Sequence, residues 1–336
     1  MKQLAMIGSG VALTLAAGYF GLSTYNANQA EQQIQDWVYD MALDDKLSWE
    51  SISSSPFGGR ISLHNVALEL GDAEPALQVA KVTLSDVIDD ELQTQLRLSL
   101  KGITTSQQAL ESASTISYWV GGNLGRAARE VGPNLTALKP FDTELFFNIN
   151  DDEGSLQAEF AVDIPELFTG RINQRISNQR NLNRKLRDVF VEVADADNPN
   201  EILAQLLSLE KSINRAALDE FSVSIKDRGM LERSIALFQR YNTPLDPTAG
   251  DVGAQRQAHY ERLVTREKKK CSREKVDTYI SSACDVLEEL LLGKANGIEL
   301  SYEPEGPVKL QEVLIFSDFK NNKRLWRRMN AQLRTI

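Results

Sequence analysis

The residues with chemical potential in this chain are few and scattered. There are two histidines, His64 and His259, and two cysteines, Cys271 and Cys284. A set this small excludes most Cys/His metal architectures. A catalytic or ligating His64 needs an orienting partner and a cleft, and its neighbours name neither. His64-Asn65 instead interrupts the strand-like stretch SPFGGRISLHNVALEL (Ser55 to Leu70). Ile61 and Leu63 alternate with polar residues, and Val66, Leu68 and Leu70 resume on the opposite parity. That pattern reads as a bulge or twist in a bending strand. His259 lies in a charged helical stretch and reads as solvent-facing. Paired carboxylates, which can act as acid and base or hold a cation, occur at Asp44-Asp45, Asp89-Asp90-Glu91 and Asp151-Asp152-Glu153. All flank turns or strand ends, where solvated acids are ordinary. DADNPNE (Asp195 to Glu201) has Pro199 in the ligand run and lacks the Gly of a calcium loop, so helix capping explains it better. No nucleophile elbow or phosphate-cradling glycine loop is present. These residues predict a non-enzymatic chain with no cofactor, no metal and no catalytic residue.

Cys271 and Cys284 admit a geometric test. Thirteen residues of continuous helix would separate them by about 20 Å, and a disulfide needs its Cα atoms within about 7 Å. Residues 273–292 read as one helix, with Val276, Ile280, Ala283, Leu287 and Leu291 on one face. The reading therefore leans against a bridge, which would require a sharp break inside REKVDTYISS.

The elements that would position anything begin with the N-terminus. MKQLAMIGSGVALTLAAGYFGLSTYNANQA carries one early Lys and then no charge until Glu31. Its apolar part, residues 4–22, has the length of a minimal membrane span and also fits a secretory h-region. Residues 1–30 are read as a signal-anchor, with an uncleaved anchor favoured over a cleaved signal. Lys2 stays on the cytoplasmic side and residues 31–336 are exported. The chain has 336 residues and a formal net charge of -10, which argues against a nucleic-acid partner. Its acidity is uneven: residues 31–170 are acid-rich, and 171–190, 256–275 and 320–334 are basic.

After the anchor, residues 31–43 read as a helix with Ile34, Trp37, Val38 and Met41 on one face. Strands follow in KLSWESISSS, RISLHNVALEL, ALQVAKVTLSDV and LQTQLRLSLKGI, the last with Leu92, Leu96, Leu98 and Leu100 on one parity. Short turns between them predict an antiparallel meander with one apolar and one wet face. Residues 106–130 read as a helix, and TELFFNIN and SLQAEFAVDI as a hairpin around DDEG. From Pro165 the spacing of Phe168, Ile172, Ile176, Leu182, Leu186, Val189 and Val193 predicts a helix. Another is expected over 199–213. LDEFSVSIKDRG is a strand, MLERSIALFQRY follows it, and Pro244, Pro247 and Gly250 make a loop. A helix over 253–270 comes next, then the strand of GIELSYEPEGPVKL. The fold class expected is α+β: a transmembrane helix, then curved antiparallel sheet covered by amphipathic helices. The exported part divides into a strand-rich lobe (31–164) and a helix-rich lobe (165–336). Lys320, Lys323, Arg324, Trp326, Arg327 and Arg328, in a tail ambiguous between helix and strand, form a candidate interfacial basic patch, as does TREKKKCSREK.

The anchor, the Gln- and Glu-rich helix and the strand pair together resemble the start of AsmA-like and YdgA-like bacterial envelope proteins. The matching residues are Gly59, Ile61, Leu63, Val66, Leu68 and Leu70. LDEFSVSIKDRGMLERSIALFQRY, with Asp227 and Gly229, is similar to a later segment of YdgA-like proteins, in which a strand ends in Asp-x-Gly before a helix. The resemblance touches about a third of the chain. It implies a periplasmic protein of the bacterial inner membrane, single-pass and non-enzymatic, concerned with phospholipid or envelope homeostasis, whose sheet offers an apolar trough to acyl chains. Here Leu63, Val66, Leu68, Leu96, Leu98 and Leu100 would line it. The chain departs from long relatives by being short and, on this reading, nearly half helical. In the alternative, a structural module for partner envelope proteins, the helices cover that face through Phe168, Ile172, Leu182 and Leu287.

Overall fold

The computed structural model describes residues 35, 38–39, 46–55, 59–68, 77–105, 139–179, 182–185, 216–248, 250–274, 276, 280–309 and 323–336. The anchor and the helices expected over 106–130 and 199–213 lie outside the described residues. Among those described, no helix is long and apolar enough to cross a membrane.

The fold is α+β, built on one large, mostly antiparallel sheet of 13 strands. Its strands are β1 (Leu47–Ser48), β2 (Ser51–Ser54), β3 (Arg60–Leu68), β4 (Leu77–Asp89), β5 (Gln93–Thr105), β6 (Phe141–Asn150), β7 (Ser155–Ile164), β8 (Phe168–Ser177), β9 (Ala217–Asp227), β10 (Ile280–Ser281), β11 (Gly297–Tyr302), β12 (Val308–Lys309) and β13 (Ala331–Thr335). From β3 to β9 every strand pairs with its sequence neighbour; short turns predict this for β3–β5 and for the β6–β7 hairpin, whereas long segments separate β5 from β6 and β8 from β9. Beyond β9 the order continues through β11 and β13 to β10, whose pairing with β13 is parallel. Four described helices accompany the sheet: α1 (Met230–Asn242), α2 (Val252–Arg273), α3 (Ala283–Leu291) and α4 (Lys323–Met329).

The phase change at His64-Asn65 is not confined to β3. Asn65 has a φ of 51°, in the left-handed region that Asn tolerates better than most residues. Leu63 pairs with Val82 and Val66 with Val79, and these pair in turn with Leu100 and Ile103. All three strands therefore switch parity along one line, so their apolar residues stay on one side. Gly102, at φ 66° in β5, stands on that line, and a Cβ there would come 2.9 Å from the Ala80 Cβ. Asn65 donates to the Glu50 carboxylate, and the Gly102 N–H donates to Asp142 Oδ1 at 2.8 Å. The line thus runs from Glu50 across β3, β4 and β5 to β6. The β3–β4 register is continuous, so β3 crosses it by a left-handed residue and not by an inserted one. Between β5 and β6 the register does shift, between Leu100 and Ile103. A separate bulge in β4, between Ser85 and Ile88, contains Asp86 at φ 57°.

The helix expected from Pro165 is corrected over 168–177, which is strand β8, fully paired with β7 and β9. Phe168, Ile172 and Ile176 are four apart, and a spacing of four is even, so it satisfies a strand's period of two as well as a helical stripe. Pro165 and Glu166, the latter at φ 66°, make the tight turn between β7 and β8. Leu92 is also corrected: it lies in the turn before β5, 46% exposed.

The expected helix over 273–292 breaks after Arg273. Residues 280–281 form β10, and α3 starts only at Ala283, after Ser282 at φ 62°. The break brings Cys271 and Cys284 to a Cα–Cα distance of 5.8 Å, and they form a disulfide. This reverses the reading against the bond, which rested on helix continuity. Lys268 reinforces the α2–α3 contact, with Nζ 2.7 Å from Asp285 Oδ1 and 2.5 Å from Glu288 Oε2. Its ammonium is held in the charged form chiefly by the Asp285 hydrogen bond, then by Glu288. Tyr260 donates to the Leu291 carbonyl at 3.0 Å, and its ring packs edge-on against Phe238 of α1. The ambiguous tail contains both elements, α4 and then β13.

Candidate functional site

Strand alternation makes the two faces of this sheet chemically different. One face of β7 carries Ser155, Gln157, Glu159, Ala161 and Asp163, and the other carries Leu156, Ala158, Phe160, Val162 and Ile164. The pairing registers carry this division across the sheet. Leu145 pairs with Phe160, Phe160 with Ile172, Ile172 with Val223, Val223 with Leu300, and Leu300 with Leu333. That apolar row crosses β6, β7, β8, β9, β11 and β13. A parallel row runs from Val162 through Gly170 and Ile225 to Ile298. On the opposite face the sheet places ion pairs and amides. Arg97 donates to Asp86 and Glu144 and lies 4.6 Å over the Phe146 ring. Its charge is reinforced most by the Asp86 hydrogen bond.

The apolar face is covered unevenly. At the β1–β6 end, Leu63, Val66, Val82, Leu84, Leu96 and Leu98 form a buried cluster, joined by Val38 of the first predicted helix. Of the expected trough residues, Leu63, Val66, Leu68, Leu96 and Leu98 are buried and Leu100 is half-buried. Four of the six belong to this cluster and Leu100 packs against it. At a second place, Leu325 and Met329 of α4 pack with Ile176, Leu218, Tyr302 and Val308. Burial pushes the Tyr302 phenol up to about 12. The strand ends near the β4–β5 and β6–β7 turns are closed by the helical turn 182–185. There the Asn183 amide donates to the carbonyls of Asp90 and Glu91, at 3.2 and 3.3 Å, while its oxygen accepts from Thr94.

Between these covered regions the face is open among the described residues. Phe160 is 40% exposed, Ile172 39% and Ile225 43%, although each sits mid-sheet with paired strands on both sides. Gly170 lies between Val162 and Ile225 in register, and the Val162 and Phe168 side chains crowd the place of its missing Cβ. Of the residues expected to fill the face, Phe168 and Ile172 belong to the sheet itself, Leu287 is 41% exposed on α3, and Leu182 is buried in the turn at the closed end. The trough candidates of the sequence lie on β3 and β5, whereas the exposed apolar residues lie on β7, β8 and β9. The signal available in sequence was the alternation from Leu156 to Ile164, which marks the apolar parity of β7.

Among the described residues the polar candidates take structural roles; Asp44-Asp45 and the stretch Asp195 to Glu201 lie outside them. Asp90 Oδ1 accepts from the Leu92 and Gln93 amides, closing the β4–β5 turn. Asp151 accepts from the amides of Asn183 and Arg184. His64 Nε2 is 3.2 Å from Ser53 Oγ, and among the described residues no hydrogen bond to its other ring nitrogen completes a triad. No group of three or more His, Cys, Asp or Glu converges on one point among the described residues. Asp227 closes the Asp-x-Gly segment by accepting from Gly229 N at 3.0 Å and Leu231 N at 2.8 Å, which starts α1. Of the tail candidates, Lys320 lies outside the described residues, while Lys323, Arg324, Trp326, Arg327 and Arg328 fall in α4. Arg327 and Arg328 are exposed, and Arg328 donates to the Pro307 carbonyl at 2.9 Å.

No protein-family model matches the chain, and no curated protein matches it in sequence.

Proposed function

We propose that this chain is an exported, non-enzymatic protein of the bacterial inner membrane, tethered through residues 4–22, which takes up phospholipid acyl chains on the open part of its apolar sheet face. The observation that carries the reading is the uncovered row through Phe160 and Ile172, with Ile225 beside it. Apolar surface of this extent in mid-sheet is costly to leave in water and marks a binding surface. At about 4.8 Å per strand, the exposed part of the face, from Phe160 on β7 to Ile225 on β9, spans about 10 Å, because Leu145 and Leu300 on either side pack against the covered clusters; it seats part of one acyl chain. The Cys271–Cys284 disulfide supports a compartment outside the reducing cytoplasm. The resemblance to AsmA-like and YdgA-like proteins points the same way.

A photoreactive benzoylphenylalanine at position 160 or 172, irradiated in living cells, tests this. Mass spectrometry of the intact chain should show phospholipid adducts at both positions and none at Glu159, one residue away on the opposite face. Adducts of equal yield at 159 and 160 would remove the lipid reading. A protein adduct of defined mass at 160 would replace it with a docking role for partner envelope proteins. The paired variant Phe160→Ala/Ile172→Ala should lose lipid while losing no more than about 2 kcal/mol of stability, because both side chains are half exposed. Leu96→Ala, at 1% exposure, should cost about 3 kcal/mol or more.

A further inference from the structure

α2 reverses the charge of the chain that carries it. On a chain of net charge -10, Arg262, Arg266, Lys269, Lys270 and Arg273 all stand exposed within the second half of one helix. The packed side of α2 is fixed by the buried Tyr260 and Val264 and by Cys271. At about 100° per residue, Arg262, Arg266, Lys269 and Arg273 cluster within about 60° of one another, on the side opposite those residues. Lys270 falls to one flank. The first lysine of the three in α2 is used differently: Lys268 is committed to Asp285 and Glu288. Within α2 only Glu261 and Glu267 oppose this charge, and Arg266 Nε is 3.4 Å from Glu267. Ala258 and Thr265 are small, so a shallow depression opens between Arg262, Arg266 and Lys269.

The α1–α2 connection adds exposed apolar groups. Tyr241 is 74% exposed, Leu245 44% and Val252 43%. Val252 lies on the same side of α2 as Lys270, within about 60° of the cationic stripe. Arg262 to Arg273 spans about 16 Å of straight helix. Charges strung along a line do not converge on a point group such as a phosphate or a single carboxylate. They match a plane of diffuse negative charge, and an exposed Tyr with aliphatic neighbours suits the boundary of a headgroup layer.

We infer that the outer face of α2 is a docking surface for a bilayer rich in anionic headgroups, with Arg262, Arg266, Lys269, Lys270 and Arg273 as its contacts. This goes beyond acyl-chain uptake and stands on different residues. It gives the exported part of the chain a second attachment to the membrane, one that salt releases.

The test uses the full chain in nanodiscs of phosphatidylcholine alone or of phosphatidylcholine with about one third phosphatidylglycerol, footprinted with an amine-reactive reagent and read by mass spectrometry. Lys269 and Lys270 should be acylated at least fivefold more slowly in the anionic discs, and raised salt should abolish the protection. Lys226, exposed at the end of β9, should be labelled equally in both. Arg262→Glu/Arg266→Glu should remove the protection at Lys269 and Lys270, while the disulfide and the urea midpoint stay at their wild-type values. Equal labelling of Lys269 and Lys270 in both discs overturns the inference, as does protection that ignores salt. A chain that crosslinks lipid at position 160 and shows no headgroup-dependent footprint loses this inference alone. The reverse result loses only the acyl-chain proposal.

Discussion

Replacing Asn65 with Val tests the line of parity changes, because two arguments give opposite signs. Valine is among the best strand formers, and at a mid-strand position propensity alone favours it by up to about 1 kcal/mol. Asn65, however, holds φ at 51°. A left-handed residue costs about 1–2 kcal/mol, and a β-branched side chain is a genuine outlier there. The Asn65–Glu50 hydrogen bond is exposed and adds about 0.5 kcal/mol to the loss. The net expectation is a destabilisation of about 1 kcal/mol, while Asn65→Gly should stay near neutral. At the next position along the line, Gly102→Ala meets two penalties: its φ of 66° and a Cβ placed 2.9 Å from the Ala80 Cβ. The first costs about 1 kcal/mol and the second about 1–3 kcal/mol. Only the second vanishes in an Ala80→Gly background, so a double-mutant cycle should return a coupling of about 1–2 kcal/mol. Pulse proteolysis of the detergent-solubilised full chain across a urea gradient measures each variant. An Asn65→Val chain at least as stable as wild type, or a cycle with no coupling, would refute the reasoning.

Two further outcomes follow from the disulfide and from Tyr302. Removing the bridge with Cys271→Ala/Cys284→Ala opens a loop with a sequence separation of 13 and should cost about 3 kcal/mol. Reductant should lower the wild-type urea midpoint to that of the double variant and leave the variant unmoved. The Tyr302 phenol, pushed up to about 12 by burial, is neutral in the fold at a pH where the unfolded chain has begun to ionise. Its contribution is intact below the unfolded value of about 10 and is lost as pH rises toward 12, by up to about 2 kcal/mol. Tyr302→Phe should flatten the stability curve across that window, and urea midpoints at stepped pH read it directly.

The strands whose limits the sequence marked correctly are those bounded by chemistry that acts locally. SLQAEFAVDI is β7 residue for residue, because Gly154 ends one turn and Pro165 begins the next. β8 was misread because its apolar residues are spaced by four, which serves either period, and its pairing partners lie elsewhere in the chain. The disulfide was argued away on a helix that in fact ends at Arg273 and resumes only at Ala283, after a left-handed Ser282 that carries no signature in sequence. The candidate site was legible as a parity and illegible as an opening. Leu96 and Phe160 both sit on apolar positions of clean alternating strands, and only tertiary cover makes one 1% and the other 40% exposed.

The aligned parity changes at Asn65, Ala80 and Gly102 also bear on which sheets this sequence can build by mistake. Alternation alone forbids a slip of one residue between neighbouring strands, because the apolar side would turn to water. It is blind to a slip of two, which keeps every side chain on its proper face. With a parity change in each of three adjacent strands, a two-residue slip sets those changes out of line. Apolar residues would then face opposite ways across the gap. Three residues of modest size thereby act as an alignment key, rejecting the misregistered sheets that a long, regular, apolar-faced meander would otherwise tolerate.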